Sequence, residues 1–378
     1  MKITRNQDLT AWNTFRMRVS CACFVEYGSV EELSQLWNMR HGASDEPGES
    51  ISLPGPFLHI GRGSNLLFTK DFPGTVFHSD IRFIKELLQS SRPVSQPSLS
   101  VASGSPVASA PEDKVMVEAG AGIIWDDFCR WCSDHGLWGP ENLSGIPGET
   151  GAAAVQNIGA YGVEVSDFIS QVRCFDCVTG RQVSLKVGEC GYGYRDSMFK
   201  NGAKGRYVVT SVVFSLSRNA APRLEYGHVR QAVEEACAGE ELAPSLVRRV
   251  ILGIRASKLP DPAETGSAGS FFKNPVVPRS DFERILSVTK VAHGADYPVP
   301  HFDAGSGFIK VPAAWLIDQC GLKGMRLGNA AVYSRQPLVI VNLTGAAAPE
   351  EILALEAKVV KAVHDKFGVM LRPEVEHI

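Results

Sequence analysis

The sequence predicts an α+β protein of two or three domains, and three observations support this. Short apolar strands alternate with helical stretches near the N-terminus. From 114 to 217 the chain reads as β-rich runs joined by glycine-dense loops, and after 222 the pattern turns helical, which puts a domain boundary at 218–222. With 378 residues, 44% hydrophobic and 21% charged, the chain can bury several cores.

Taken in order, CACFVEY (21–27) reads as a strand. A helix follows from Ser29, where Ser29 and Glu32 have capping-box spacing and Val30, Leu33 and Trp37 form an apolar stripe. PFLHIGRGSNLLF (56–68) runs apolar strand, glycine turn, apolar strand. SDEPGES (44–50) is a polar loop. Residues 91–113, rich in Ser, Pro and Ala without periodicity, predict a flexible surface insertion. VMVEAG (115–120), QVRCFDCV (171–178), RQVSLKV (181–187) and RYVVTSVVFSL (206–216) are the strands of the β-rich region. SLVRRVILGIRASK (245–258) is a helix stopped by Pro260, and SDFERILS (280–287) opens another with capping-box spacing at Ser280 and Glu283. The last helix starts at Pro349, carries Ile352, Leu355, Val359, Val363 and Phe367 on one face, and ends at Gly368.

The formal net charge of −3 leaves no electrostatic footprint for nucleic acid or an anionic membrane, so a small-molecule partner is expected. The first fifteen residues lack an apolar h-region and no later window is long and apolar enough to span a bilayer, which predicts a cytoplasmic protein. Nine scattered cysteines argue for reduced thiols. The pairs Cys129/Cys132 and Cys174/Cys177 have zinc-site spacing, but the first sits in a helical pattern and the second in a strand that turns its sulfurs to opposite faces, so no metal is expected.

Two glycine loops carry the functional signal. GRGSN (61–65) departs from the dinucleotide fingerprint because residue 66 is leucine, which leaves either a phosphate cradle of backbone N–H groups or a plain turn. SGIPGETGAAAVQNIGAYGVEV (144–165) concentrates glycine and alanine, as a trough for an extended diphosphate ligand requires; close packing of the chain on itself would use the same residues.

With these loops, NTF (13–15), GYRDSMFK (193–200), EYG (225–227), RASKLPDP (255–262), GSAGSFFKNPVV (266–277), AAWLIDQCGLKGMRLGNAAV (313–332) and RPEVEHI (372–378), the chain resembles the UDP-N-acetylenolpyruvoylglucosamine reductase family nearly end to end. DYPVPHF, around Tyr297, is similar to the substrate-capping loop of that family's longer subtype. The resemblance implies an α+β fold with a two-subdomain FAD-binding domain of the vanillyl-alcohol-oxidase type and a C-terminal substrate-binding domain. The expected division is 1–75 with the tail 369–378, then 76–218, then 219–368 for substrate.

It further implies that NADPH reduces non-covalently bound FAD, which then reduces UDP-N-acetylglucosamine enolpyruvate to UDP-N-acetylmuramate in peptidoglycan precursor synthesis. Ser270 would protonate the carbanion, Arg195 would hold the substrate carboxylate, and Glu374 would act protonated beside the enolate. Without the resemblance Arg195 reads as half of a surface pair with Asp196, and Glu376 stands equal to Glu374. The implied cofactor residues are Gly61, Arg62, Gly63, Ser64, Asn65 and Leu66, with Pro147, Gly148, Gly151, Ala152, Asn157, Gly159, Ala160 and Tyr161. Tyr226, Lys258, Lys273, Asn274, Tyr297, Lys310 and Gln319 are the implied substrate contacts. A same-fold FAD oxidase and a non-catalytic nucleotide-sugar binder are the alternative readings.

Overall fold

The computed structural model describes residues 1–41, 53–87, 114–220, 222–237 and 239–378; the expected insertion at 91–113 and the polar loop at 44–50 lie outside the described residues. The chain divides into two compact units. Met1–Glu26, Ser50–His78 and Gly253–Ile378 form the first, and Tyr27–Glu49 with Ser79–Leu252 the second.

The second unit is built on the strand Tyr207–Ser217, whose residues are buried almost continuously and which is paired with a strand on each edge. It lies third in a five-stranded sheet ordered Arg181–Lys186, Ile169–Asp176, Tyr207–Ser217, Lys114–Gly120, Ile84–Leu87, with every pairing antiparallel. Val212 stands opposite both Val172 and Ala119. The helix Trp125–Asp134 lays Trp125, Phe128, Cys129 and Cys132 into the same core, with the Phe128 and Phe214 rings 4.5 Å apart. It ends at Asp134, and Gly136 follows two residues on with φ +66°. Among the described residues no group of three or more His, Cys, Asp or Glu is placed to hold a metal.

In the first unit, Lys2–Asp8 pairs antiparallel with Ser20–Tyr27, and Phe57–Ile60 pairs in parallel with Phe72–Ser79. A four-stranded antiparallel sheet is ordered Gly266–Ser267, Ile340–Asn342, Ala330–Val332, Arg326–Leu327. A ribbon of Val276–Pro278, Phe308–Lys310 and Phe302–Asp303 follows. The helix Pro349–Phe367 buries its whole predicted stripe, and its C-cap Gly368 has φ +67°. One hydrophobic cluster joins Phe15, Leu67, Phe271, Phe272, Val359, Phe367, Leu371 and Val375, so the last residues are part of the core.

Two capping boxes are corrected. Ser29 Oγ accepts from the Glu32 N–H at 3.2 Å, but the Glu32 carboxylate takes the N–H of Gly28 at 2.7 Å rather than that of Ser29. The helix expected to open at Ser280 begins at Arg279, because Pro278 ends its strand in an extended conformation and turns the chain in directly; Ser280 then falls in the first turn and caps nothing.

Candidate active site

In the first unit, main-chain pairing gathers segments far apart in sequence. Phe271 and Phe272 are buried to 0% and 1% exposure, while Ser270 between them and Gly269 stands exposed. The two rings therefore anchor the segment and leave the hydroxyl on its surface. The Glu374 N–H donates to the Phe271 carbonyl at 2.8 Å, the Lys273 N–H donates to the Arg372 carbonyl at 3.0 Å, and Phe272 bridges Pro373. Asn65 holds the tail from its other side: its Nδ2 donates to the Glu374 carbonyl at 3.1 Å, and its carbonyl accepts from the Glu376 N–H at 3.0 Å. Glu376–His377 continues this as a parallel pair with Leu66–Leu67. The GRGSN loop, the Ser270 segment and the tail with Glu374 thus share one ladder.

His377 Nε2 lies 3.2 Å from Glu356 Oε2 on the last helix, and this contact raises the histidine pKa against the opposing effect of burial. Gly63 is buried with φ +60°, and a side chain there would collide with the Trp12 carbonyl, so its glycine serves the packing of the chain on itself. Gly61, Arg62, Ser64 and Leu66 lie along the same loop at the surface or partly buried.

The glycine-rich stretch of the second unit divides its small residues between two tasks. Thr150–Gln156 is a helix in which a Cβ on Gly151 would approach Ala121 Cβ to 2.8 Å, and Ala153 and Ala154 are core residues; here the small side chains serve close packing. Pro147 is exposed, Gly145 and Gly148 have φ of +71° and +131°, and Ala152, Ala160 and Tyr161 are partly exposed, which leaves this edge open to a ligand. Asn157, left-handed at φ +46°, donates from Nδ2 to Glu164 and to the Gly193 carbonyl, both at 2.8 Å.

That bond ties the loop to the tight hairpin Gly193–Asp196, where Arg195 sits at φ +55°. The Arg195 guanidinium donates to the carbonyls of Asn157 and Gly159, and a Cβ on Gly159 would come within 2.6 Å of its Nη1. The Asp196 carboxylate accepts instead from the Ser197 N–H and the Asn201 amide. The structure therefore unites Asn157, Gly159 and Arg195. Tyr226 meets Tyr161 edge-on at 6.1 Å and is half exposed.

The remaining expected contacts lie in the first unit. Lys258 is exposed at the end of its helix. Asn274 Oδ1 accepts from the Ala313 N–H at 2.9 Å, Gln319 Nε2 donates to the Tyr297 hydroxyl at 3.2 Å, and Lys310 lies over the Phe302 ring at 5.7 Å.

Sequence reasoning missed two supports. Asp126 accepts from Nη1 and Nη2 of Arg248 and from the Gly145 N–H; burial pushes its pKa up, but these partners outweigh it and hold the carboxyl below its usual range. No local pattern marks a pair 122 residues apart. Asn142, fully buried, donates to the carbonyls of Tyr161 and Arg223 at 3.1 and 2.7 Å, and only its place just ahead of the glycine-rich stretch could have flagged it.

The candidate cofactor residues supply backbone N–H groups, hydroxyls and amides, with neither His nor Cys among them to tether a flavin covalently. Within the second unit Asn142 Oδ1 and Gln156 Nε2 are buried without a protein partner, and within the first so is Thr14 Oγ1. Taken unit by unit, these polar donors and acceptors, with the Arg62 guanidinium the one cation among the candidate residues, fit portions of a flavin dinucleotide held without a covalent bond. The fold and site define a flavin-dependent oxidoreductase: residues 99–186 match the model of an FAD binding domain, and residues 261–378 match that of the UDP-N-acetylenolpyruvoylglucosamine reductase C-terminal domain.

The chain is 43% identical over 372 residues to the UDP-N-acetylenolpyruvoylglucosamine reductase of Bacteroides fragilis, covering 98% of each chain. It is 42% identical over 369 residues to the enzyme of that name from Chromobacterium violaceum, covering 97% and 96%. The chain belongs to the UDP-N-acetylenolpyruvoylglucosamine reductase family. Its fold is that of the crystal structure of the Thermus caldophilus reductase, with a TM-score of 0.61, 21% identity and coverage of 100% and 99%.

Proposed function

We propose that the protein reduces UDP-N-acetylglucosamine enolpyruvate to UDP-N-acetylmuramate with NADPH as reductant. When bound, FAD supplies the hydride chemistry at the terminal carbon of the enolpyruvyl ether. The chain must then stabilise the anion formed beside the substrate carboxylate and give a proton to its carbon.

The observation that carries this reading is the exposed Ser270 hydroxyl on a segment fixed by two buried phenylalanines and tied through main-chain bonds to Glu374 and Asn65. A serine is a weak acid, but a carbon-centred base can take its proton when the donor is held at the right distance. In this reading Ser270 delivers the proton and Glu374 acts beside it in protonated form. Arg195 turns its planar fork from the loop carbonyls toward the substrate carboxylate, where its benefit grows as charge develops. Lys258, Lys273, Asn274, Lys310 and Gln319 serve the UDP-sugar, with Tyr226 and Tyr297 closing over it. Flavin is assigned to 1–75 with 369–378 and to 76–218, and substrate to 219–368. Among the described residues no helix is long and apolar enough to cross a membrane. A cytoplasmic enzyme that works without nucleic acid or membrane partners completes the proposal.

Stopped-flow measurement of the two half-reactions tests it. Ser270→Ala should leave reduction of the flavin by NADPH near the wild-type rate and slow its reoxidation by the enolpyruvyl substrate by at least about a thousandfold. Reoxidation near the wild-type rate would assign the proton to another group, and peroxide release without substrate would indicate an oxidase.

A further inference from the structure

The NTF motif has no role in the chemistry above, yet it lies against both loops of the first unit. Asn13 is 2% exposed, and its side chain makes three hydrogen bonds: Nδ2 donates to the carbonyls of Leu9 at 2.8 Å and Met17 at 3.1 Å, and Oδ1 accepts from the Met17 N–H at 2.8 Å. Its carbonyl closes a turn by accepting from the Arg16 N–H at 3.0 Å. From this turn the Thr14 N–H donates to the Gly63 carbonyl at 3.3 Å, and Gly63 packs on the Trp12 carbonyl. The Thr14 carbonyl accepts from the Ser267 N–H at 2.9 Å, and a side chain on Gly266 would collide with the Phe15 carbonyl. Arg16 holds the left-handed conformation at φ +57°, which glycine takes without penalty, and its guanidinium donates to three successive carbonyls, Pro262, Ala263 and Glu264.

We propose that the turn Asn13–Arg16 is the positioning joint of the site, fixing the Gly63 loop and the segment that carries Ser270 against one common piece of backbone. Asn13 and Arg16 are positioning residues; neither is asked to touch substrate. Arg16 restrains the approach to Gly266 and Ser270 from one end, and the pairing of Phe271 with the tail restrains it from the other. The Ser270 hydroxyl is then held at a fixed place on its surface, the condition under which a weak acid can serve as proton donor. This inference rests on the assignment of Ser270 as that donor.

Arg16→Gly removes the clamp while relieving the backbone, so the variant should fold. Gly266→Ala pushes the segment off the turn without touching the clamp. Both should slow flavin reoxidation by the enolpyruvyl substrate by about 10- to 100-fold, with reduction by NADPH within about twofold of wild type. Arg16→Lys, able to serve fewer carbonyls, should fall between. In the flavin-free protein, hydrogen exchange at amides 263–270 should quicken in both variants. Reoxidation at the wild-type rate in both variants, with Ser270→Ala still slow, would overturn the joint and leave the proton assignment standing. If Ser270→Ala is itself unimpaired, the proton assignment fails, and exchange decides the joint: quickened amides support it and unchanged amides overturn it. Flavin loss in Arg16→Gly and Arg16→Lys alike, with intact melting curves, would also overturn it, since the clamp acts on the Ser270 segment and not on cofactor retention.

Discussion

A methyl group added at position 159 would displace the guanidinium of Arg195, because the ideal Cβ falls 2.6 Å from Nη1. Gly159 lies in the short strand Gly159–Ala160 and takes no left-handed φ, so alanine suits the backbone conformation; the new methyl also comes within 3.0 Å of the Val163 carbonyl and 3.1 Å of Glu164 Cγ, but its shortest contact is with the arginine. Gly159→Ala should therefore imitate part of the loss of Arg195, lowering kcat about tenfold against the 100- to 1,000-fold expected for Arg195→Ala. Because both changes act on one group, the double variant should be no slower than Arg195→Ala alone. A rate for the double variant equal to the product of the single losses would show that Gly159 acts elsewhere. The same residue shows what sequence can supply: the family resemblance marks Gly159 as a cofactor residue, but that it lodges an arginine depends on a hairpin 36 residues on.

At the scale of the element, the C-terminal strand Glu376–His377 keeps Glu374 in place, and one histidine makes its docking sensitive to pH. His377 gains the Glu356 carboxylate on folding, so its folded pKa lies above the unfolded value of about 6.5. The contribution of this contact is fully present below about pH 6.5 and is lost as pH rises through the folded pKa. Hydrogen exchange at the amides of Glu374, Glu376 and Ile378, corrected for its intrinsic pH dependence, should quicken from pH 6 to 8, and His377→Gln should abolish that trend. Identical trends in the two proteins would remove the histidine from the account.

This tail also marks the limit of legibility at the element scale. The strands 114–120, 169–176, 181–186 and 207–217 were readable because apolar and β-branched residues run between glycine turns, and the last helix because proline and glycine mark its ends. A two-residue parallel pairing between Leu66 and Glu376 has no local signal of its own. The positions of Glu374 and Ser270 came from the family resemblance, while their common ladder came only from the structure. The helix cap falls at Pro278, two residues before the Ser280 that capping-box spacing favours, because Pro278 and Ser280 can each open a helix and only the backbone decides between them.

At the scale of the whole molecule, five buried thiols should make stability fall at alkaline pH. Burial pushes Cys21 and Cys190 up to about 11 and Cys174 up to about 12, and it raises Cys129 and Cys132 well above the ordinary thiol value. All five are at most 1% exposed. In the unfolded chain they titrate near pH 8.5, so above that value the unfolded state loses protons that the folded state keeps. Stability is then fully present below about pH 8.5 and falls as pH rises, at no more than about 1.4 kcal/mol per pH unit for each thiol. Burial also raises Tyr27 and Tyr192, which steepens the decline once unfolded tyrosines titrate near pH 10. Cys129, Cys132, Cys174 and Cys190 all belong to the second unit, so alkaline unfolding should begin there. Urea denaturation under reducing conditions from pH 8 to 10.5 measures the slope. Cys174→Ala will cost some stability at every pH, but it should flatten the alkaline limb by up to about 1.4 kcal/mol per unit, as should Cys129→Ala. If neither variant flattens the limb, the thiols are not what the rising pH titrates.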